Sequence, residues 1–320
     1  MSKAAKVWLI VAASLIVAGL IMFVASMWAL GWDFTRLSTG KYKTNTHALT
    51  EEFSSISINT DTADIVFELS DDGQCTVECY EEQKAKHSVS IEEGTLVIDL
   101  ANEKDWYDYI GIHFHSPKIT VYLPEAQYTS LFIKGSTCDI NVPRPFSFEN
   151  VNISTSTGDV DFSASASRLN KIKTNTGNVS IENTSAGALN ISTSTGDITV
   201  SNVACEGDIT TNVTTGRITL TNITCGNLTS TGDTGDISLS NVIAAQKIYI
   251  NRSTGDVKFD HSDGQEIFVE TDTGNVSGSL LTEKFFITHT DTGDVDVPQT
   301  TNGGKCTIRT DTGDIKITIE

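Results

Sequence analysis

The sequence predicts an all-β chain, a β-solenoid of 19 to 20 residues per coil preceded by a single N-terminal transmembrane helix. Three observations carry that prediction. A phrase of the form T-G-(D/N)-(V/I) recurs nine times, with glycines at Gly158, Gly177, Gly196, Gly216, Gly235, Gly255, Gly274, Gly293 and Gly313, in steps of 19 or 20 residues. The residues flanking each glycine alternate apolar and polar. Ahead of the repeats, Val7 to Trp32 is a run of 26 residues without a charge. A fixed period of this length marks coils stacked on one another.

The uncharged run, as a helix, is about 39 Å long against a hydrocarbon core of about 30 Å. Trp8 at one end and Trp28 and Trp32 at the other are placed as interfacial anchors. Lys3 and Lys6 would also suit a cleaved signal peptide, but its apolar region spans only about 7 to 15 residues. An uncleaved anchor is therefore the expectation. Arg36, Lys41 and Lys43 follow the helix while Lys3, Lys6 and the amino terminus precede it, so the positive-inside rule is nearly balanced. The short tail and large polar remainder favour N-terminus inside and C-terminal domain outside, a single-pass protein of the cell membrane. Residues 1–32 are thus tail and helix, 33–50 a polar stalk, 51–135 an irregular β-rich start, and 136–320 the repetitive solenoid. Beyond Trp32 lie 20 basic and 41 acidic residues, a net charge of −21. Such a surface repels polyanions, which excludes nucleic acid as a partner.

Counting from each glycine as zero, position +2 is Val or Ile in all nine repeats, from Val160 to Ile315, and +4 is mostly apolar. That is a strand with one buried face. A second strand precedes the glycine, with apolar residues at −7 from Val151 to Cys306. Thr at −1 in every repeat predicts hydroxyls bonding up a column, since stacked coils place equivalent residues about 4.8 Å apart. The glycine supplies a φ > 0 corner, and the Asp or Asn after it caps the turn. Asn183, Asn202, Asn222 and Asn241 at +6 predict an asparagine ladder at another corner. Two degenerate coils extend the pattern upstream, with Cys138 and Ala63 at the glycine position. Between them, over residues 66 to 130, the period fails. "HSVSIEEGTLVIDL" there predicts a hairpin turning at Glu93-Gly94, and the block is expected to cap the membrane-proximal end.

The anchor helix, the irregular β-rich start, an aromatic stretch followed by "PKITVYLP", and "TSTGDV"-like phrases to the end resemble the bacterial "putative adhesin" family of β-strand-repeat domains. The resemblance covers residues 50 to 320. It implies a β-solenoid at the bacterial envelope, where some relatives are linked to stress responses, and it transfers no catalytic residue.

Familiar catalytic phrases are missing. "STGK" at Ser38 to Lys41 matches S-x-x-K formally, without its companion motifs, and is read as chance. Carboxylates crowd the glycine corner at +1 and −2. Asp233, Asp236, Asp291, Asp294, Asp311 and Asp314 are the candidate calcium oxygens, against a plainer reading as solvated turn caps that the interruption by Arg217 favours. His113 and His115 fall on one side of a strand with only His87 nearby in sequence, and are expected to be a surface pair. Trp106, Tyr107 and Tyr109 either contact a glycan or partner or fold over the solenoid end. Cys205 and Cys225 share a column in adjacent coils, about 4.8 Å apart, within disulfide range but equally consistent with stacked buried thiols. Nine N-x-(S/T) sequons are read as by-products of Thr, Ser and Asn richness, since so many glycans on strands and corners would collide.

The expected function is non-enzymatic and cofactor-free, a binding or adhesin-like surface module acting on an unidentified envelope protein or glycan. The alternatives are an envelope-stress regulator working through a membrane partner and, third, an enzyme of cell-wall polysaccharide. The chain end, with Ile315, Ile317 and Ile319 inward, is expected to leave the last coil exposed and weakly self-associating.

Overall fold

The computed structural model describes residues 2–33, 41–102 and 116–320. One helix, Lys3–Ala29, is capped by Ser2, whose Oγ accepts the Ala5 N–H at 3.2 Å. Its Ala5–Ala29 portion is long and apolar enough to cross a membrane. Among the described residues, the elements after it are all β-strands, and the strands stack into a solenoid of about 10 turns.

Each regular coil contributes one strand leading into the glycine corner and a second leaving it. Residues at equal positions in neighbouring coils pair in parallel: Val179–Thr195 lies on Ile198–Cys205 and Ile209–Thr215, and these lie on Ile218–Cys225 and Leu228–Thr234. Alternation puts the +2 and +4 side chains of one wall and the −7 and −5 side chains of the other into one continuous core. Stacking completes the core because a single coil has no second layer to bury its apolar face against.

The nine corner glycines all have positive φ, from 128° at Gly235 to 158° at Gly274. Crowding makes glycine necessary as well. A Cβ on Gly235 would lie 2.0 Å from the carbonyl oxygen of Gly216 one coil below. The residue after the glycine does a second job. Asp64 Oδ1 accepts the Asp139 N–H at 3.0 Å, Asp139 the Asp159 N–H at 2.8 Å, and Asp159 the Asn178 N–H at 2.7 Å. The series continues through Asn178 and Asp197, breaks at Arg217, and resumes at Asp236. At the +6 corner Asn183, Asn202, Asn222 and Asn241 adopt φ of 53° to 55°, and the Nδ2 of each of the last three donates to the Oδ1 of the asparagine one coil before it at 2.8 to 3.1 Å. That is the predicted asparagine ladder, with His261 continuing its backbone conformation at φ 47°.

The hydroxyl column differs from expectation. The −1 threonines are exposed, because the chain turns outward after −3 to enter the corner. The bonding hydroxyls sit at −3, where Thr193 Oγ1 donates to Gly177 O at 3.1 Å and Thr310 Oγ1 to Gly274 O at 3.0 Å. Val213, Gly232 and Arg252 interrupt this column. Arg252 is 1% exposed, and its Nη1 passes over Gly232 to donate to Val213 O at 2.9 Å. Burial lowers its pKa, opposed by the charges of Asp233 and Asp236.

The coil order at both ends is a second difference. Strand Gly304–Thr312 inserts between the 266–273 segment and Lys284–Thr292, and Ile315–Ile319 inserts between Val276–Leu280 and Val295–Asp296. The corner bonds follow the same path: Asn275 Oδ1 accepts from Asp314 N, and Asp314 Oδ1 from Asp294 N, each at 2.9 Å. The C-terminal coil is therefore interior, with Ile315 and Ile317 buried, and the outermost coil is Lys284–Asp296. This corrects the expectation of an exposed last coil. At the other end the Ala63 coil sits between the Cys138 coil and strands Thr95–Asn102 and Lys118–Leu123. Antiparallel strands then close that end: Ala85–Glu92 on Thr95–Asn102, turning at Glu93 and Gly94, and Cys75–Glu82 on Lys118–Leu123. Tyr42–Leu49 adds to Cys75–Glu82 as an edge strand, so this part of the expected stalk belongs to the folded cap.

One core position breaks the apolar rule. Asn170 occupies −7 between Val151 and Leu189, is 1% exposed, and neither amide atom has a hydrogen-bond partner. An unpaired buried amide costs about 1–3 kcal/mol. Asn170→Leu, nearly isosteric and matching its neighbour Leu189, is therefore expected to raise the unfolding midpoint in urea. A lowered midpoint would mean that the amide is satisfied.

Candidate functional site

Two places stand out from the repeated wall: a polar group buried in the capped end and an apolar strip on the outer wall at the other.

In the cap, Cys75–Glu82 and Ala85–Glu92 form a hairpin whose inward residues face one another across the end of the core. Glu81 Oε2 accepts from His87 Nδ1 at 2.7 Å and from the His87 backbone N–H at 2.6 Å, while its Oε1 accepts from Asn45 Nδ2 at 2.6 Å. The Thr60 hydroxyl lies 2.9 Å from His87 Nε2. With Nδ1–H donating to the carboxylate, Nε2 accepts from Thr60. Burial pushes the Glu81 carboxyl up, but the hydrogen bonds from His87 and Asn45 outweigh it and hold the group below its ordinary value. Cys79 lies beside this pair, its thiol pushed up to about 12 by burial and by the Glu81 charge. Lys43, Asn45, His47, Lys86 and the pair itself line a cleft of about 410 Å³ that opens here.

On the outer wall, −6 side chains point to solvent. Tyr249 and Phe268, in adjacent coils, stack with ring centroids 5.1 Å apart and planes 6° apart, and Lys247 Nζ lies 5.5 Å from the Tyr249 centroid. Thr307 of the inserted strand follows Phe268 in this column, and Ile287 stands beyond it on the outermost coil at 41% exposure, with Phe285 beside it at 47%. Sequence reasoning missed this strip because it followed the inward columns. The signal was present in the phrases "IYINR", "IFVET" and "FFITH", which place an aromatic or Ile at the same outward position.

The candidates named from the sequence fall as follows. Trp106, Tyr107, Tyr109, His113 and His115 lie outside the described residues, as does most of the "STGK" phrase. Asp236 and Asp314 each spend Oδ1 on a backbone N–H of the next coil, Asp294 donates its N–H to that series, and Asp291 Oδ1 contacts His289 at 2.9 Å. Asp233 and Asp311 are exposed on the same corner. Among the described residues, Cys79, Glu81 and His87 are the group of three whose ligand atoms lie within 4.8 Å of one another, and the aspartate columns bring no three together. Cys205 and Cys225 are free buried thiols, the second of the two readings left open by their spacing. Burial raises both, Cys225 to about 12.

Fold and sites define a class, a parallel β-solenoid with glycine corners, bonded side-chain ladders and a hairpin-capped end. The chain belongs to the Toastrack DUF4097 family, whose model matches residues 53–213 and again 206–320. No curated protein matches it. Among solved structures, it is similar to a "putative adhesin" from Parabacteroides distasonis at 12% identity and TM-score 0.48, covering 85% of this chain and 98% of that one. It is also similar to a "putative adhesin" from Bacteroides fragilis at 16% identity and TM-score 0.43, covering 87% and 97%. A "putative lipid binding protein" from Parabacteroides distasonis shares 17% identity at TM-score 0.46, covering 75% and 95%.

Proposed function

We propose that this protein is a membrane-anchored, outward-facing bacterial module that works by binding, with the apolar strip of Tyr249, Phe268, Ile287 and Phe285 as its contact surface. The strip is the observation that carries the reading. Flat aromatic faces with a flanking Lys offer stacking and cation contacts to a glycan ring or to apolar side chains of an envelope protein. It lies on the coils at the end opposite the cap, so an anchor at Lys3–Ala29 would hold the cap toward the membrane and present the strip away from it. The exposed edge strand Lys284–Thr292 at that end is also where weak self-association would act, in place of the chain terminus.

Protease added to intact protoplasts is expected to digest the region beyond Asp33 and leave an anchor fragment. Protection of the whole chain until lysis would overturn the orientation. Full-length protein in detergent is expected to retain envelope material, glycan or protein, and the triple variant Tyr249→Ser, Phe268→Ser, Ile287→Ser to lose it while melting normally. Equal retention by both would remove the strip from the account.

A further inference from the structure

The buried polar group in the cap brings three chemically different donors to one point. Cys79 Sγ, a Glu81 carboxylate oxygen and a His87 ring nitrogen all lie within 4.8 Å of one another. Cys79 is fully buried, Glu81 is 2% exposed and His87 6%. A purely structural ion pair between Glu81 and His87 would need no thiol, and an apolar core would need neither. We propose that Cys79, Glu81 and His87 bind one divalent late first-row transition-metal ion, for which Zn²⁺ is the best fit.

The donor set selects the metal. Thiolate and imidazole suit borderline-soft ions, whereas Ca²⁺ and Mg²⁺ take oxygen ligands alone. Lys43 and Lys86 line the same cleft and oppose capture of a cation by field alone, which leaves the bonding to sulfur and nitrogen. Zinc bonds of about 2.0–2.3 Å in a tetrahedron separate ligand atoms by about 3.2–3.8 Å, so Glu81 Oε2 and His87 Nδ1, now 2.7 Å apart, need to open by about 0.5 Å and Cys79 Sγ needs to close on them by about 1 Å at most. The cleft beside the group also holds His47, whose buried Nε2 has no hydrogen-bond partner. Asn45 on Glu81 and Thr60 on His87 are already placed as the outer hydrogen bonds that orient metal ligands.

The protons balance simply. Binding through His87 Nδ1 requires the ring proton on Nε2, where it donates to Thr60 Oγ1 with the hydroxyl reversed. Glu81 is already ionised, and the Cys79 thiol releases its proton to solvent. One proton therefore leaves per ion bound. The two ligand charges neutralise the ion, which suits a buried position. Bound metal would clamp the Cys75–Glu82 and Ala85–Glu92 strands together at the end where the chain enters the solenoid.

The test uses the full-length protein in detergent, stripped with a chelator, kept reduced, and titrated with Co²⁺ as the spectroscopic probe. The expected result is one Co²⁺ per chain, a sulfur-to-cobalt charge-transfer absorption, and its loss on adding Zn²⁺. Cys79→Ser is expected to abolish the absorption and weaken binding by at least about 100-fold, more than loss of an outer hydrogen bond does. Cys306→Ser, which removes a buried thiol in a coil near the other end, should change neither. If Cys79→Ser does not fold, His87→Gln serves, with the same expected loss of affinity. Saturating Co²⁺ without a sulfur absorption in the wild type, or undiminished affinity in the ligand variants, would overturn the proposal.

Discussion

Gly235→Val is expected to destabilise the solenoid by on the order of 4 kcal/mol or more, while Asp236→Ala next to it costs about 1 kcal/mol. Gly235 has φ 128°, a region closed to β-branched residues, and its missing side chain is where the carbonyl of Gly216 sits, 2.0 Å from an ideal Cβ. Neither atom can retreat, because the Gly216 corner carries the same contact with Gly196 below it. Asp236→Ala loses the 3.0 Å bond from Asp256 N–H, at an exposed position where water substitutes, and a solvent-screened attraction to Arg252. Urea unfolding of the two variants checks the difference. Equal losses would mean that the corner can relax and that glycine is not required there.

Asp263→Ala is expected to cost about 3–5 kcal/mol, because it strands a buried ammonium. Lys284 begins the outermost strand, yet its Nζ reaches 2.5 Å from Asp263 Oδ1, with side chains 3% and 10% exposed. Its pairing neighbour in the inserted strand is Gly304. The ion pair fastens the out-of-order tip to the body. Asp263→Ala with Lys284→Met is expected to recover most of the loss, since no charge is then left buried. A double variant as unstable as the single one would show that packing, not charge, is what Asp263→Ala removes.

The repeat was legible because its causes are local. A φ > 0 corner demands glycine, the inward face demands Val or Ile, and stacking demands the same residue each time, so Gly158 to Gly313 could be placed by eye. The degenerate coils at Ala63 and Cys138 were legible for the same reason, and Asp64 and Asp139 sit in the corner series as their positions required. The order of the coils was not legible, since equivalent coils pair equally well with any neighbour and the spacings from Gly274 to Gly313 match the rest. One residue did carry the information. Pro298 follows the shortened strand Val295–Asp296, and a residue that cannot donate to a ladder belongs beside an edge.

The cap group was legible only in part. His87 entered the sequence reading only as the histidine near His113 and His115, and Cys79 and Glu81 join it through a hairpin that reverses the chain between them, which no fixed spacing announces. The outer strip was legible and overlooked, because apolar residues were sought where they repeat inward.

The account rests on a solenoid whose final coil is inserted beneath the one before it, leaving Lys284–Asp296 at the tip. Paired cysteines at the exposed −1 positions test this directly, because the six native thiols are buried. Thr273 lies beside Thr312, and Thr292 on the far side of it. Parallel neighbours about 4.8 Å apart are within disulfide range, and residues two coils apart are not. Thr273→Cys with Thr312→Cys is expected to cross-link on mild oxidation, and Thr273→Cys with Thr292→Cys is expected to remain reduced. The opposite pattern would put the coils in sequence order and contradict the account.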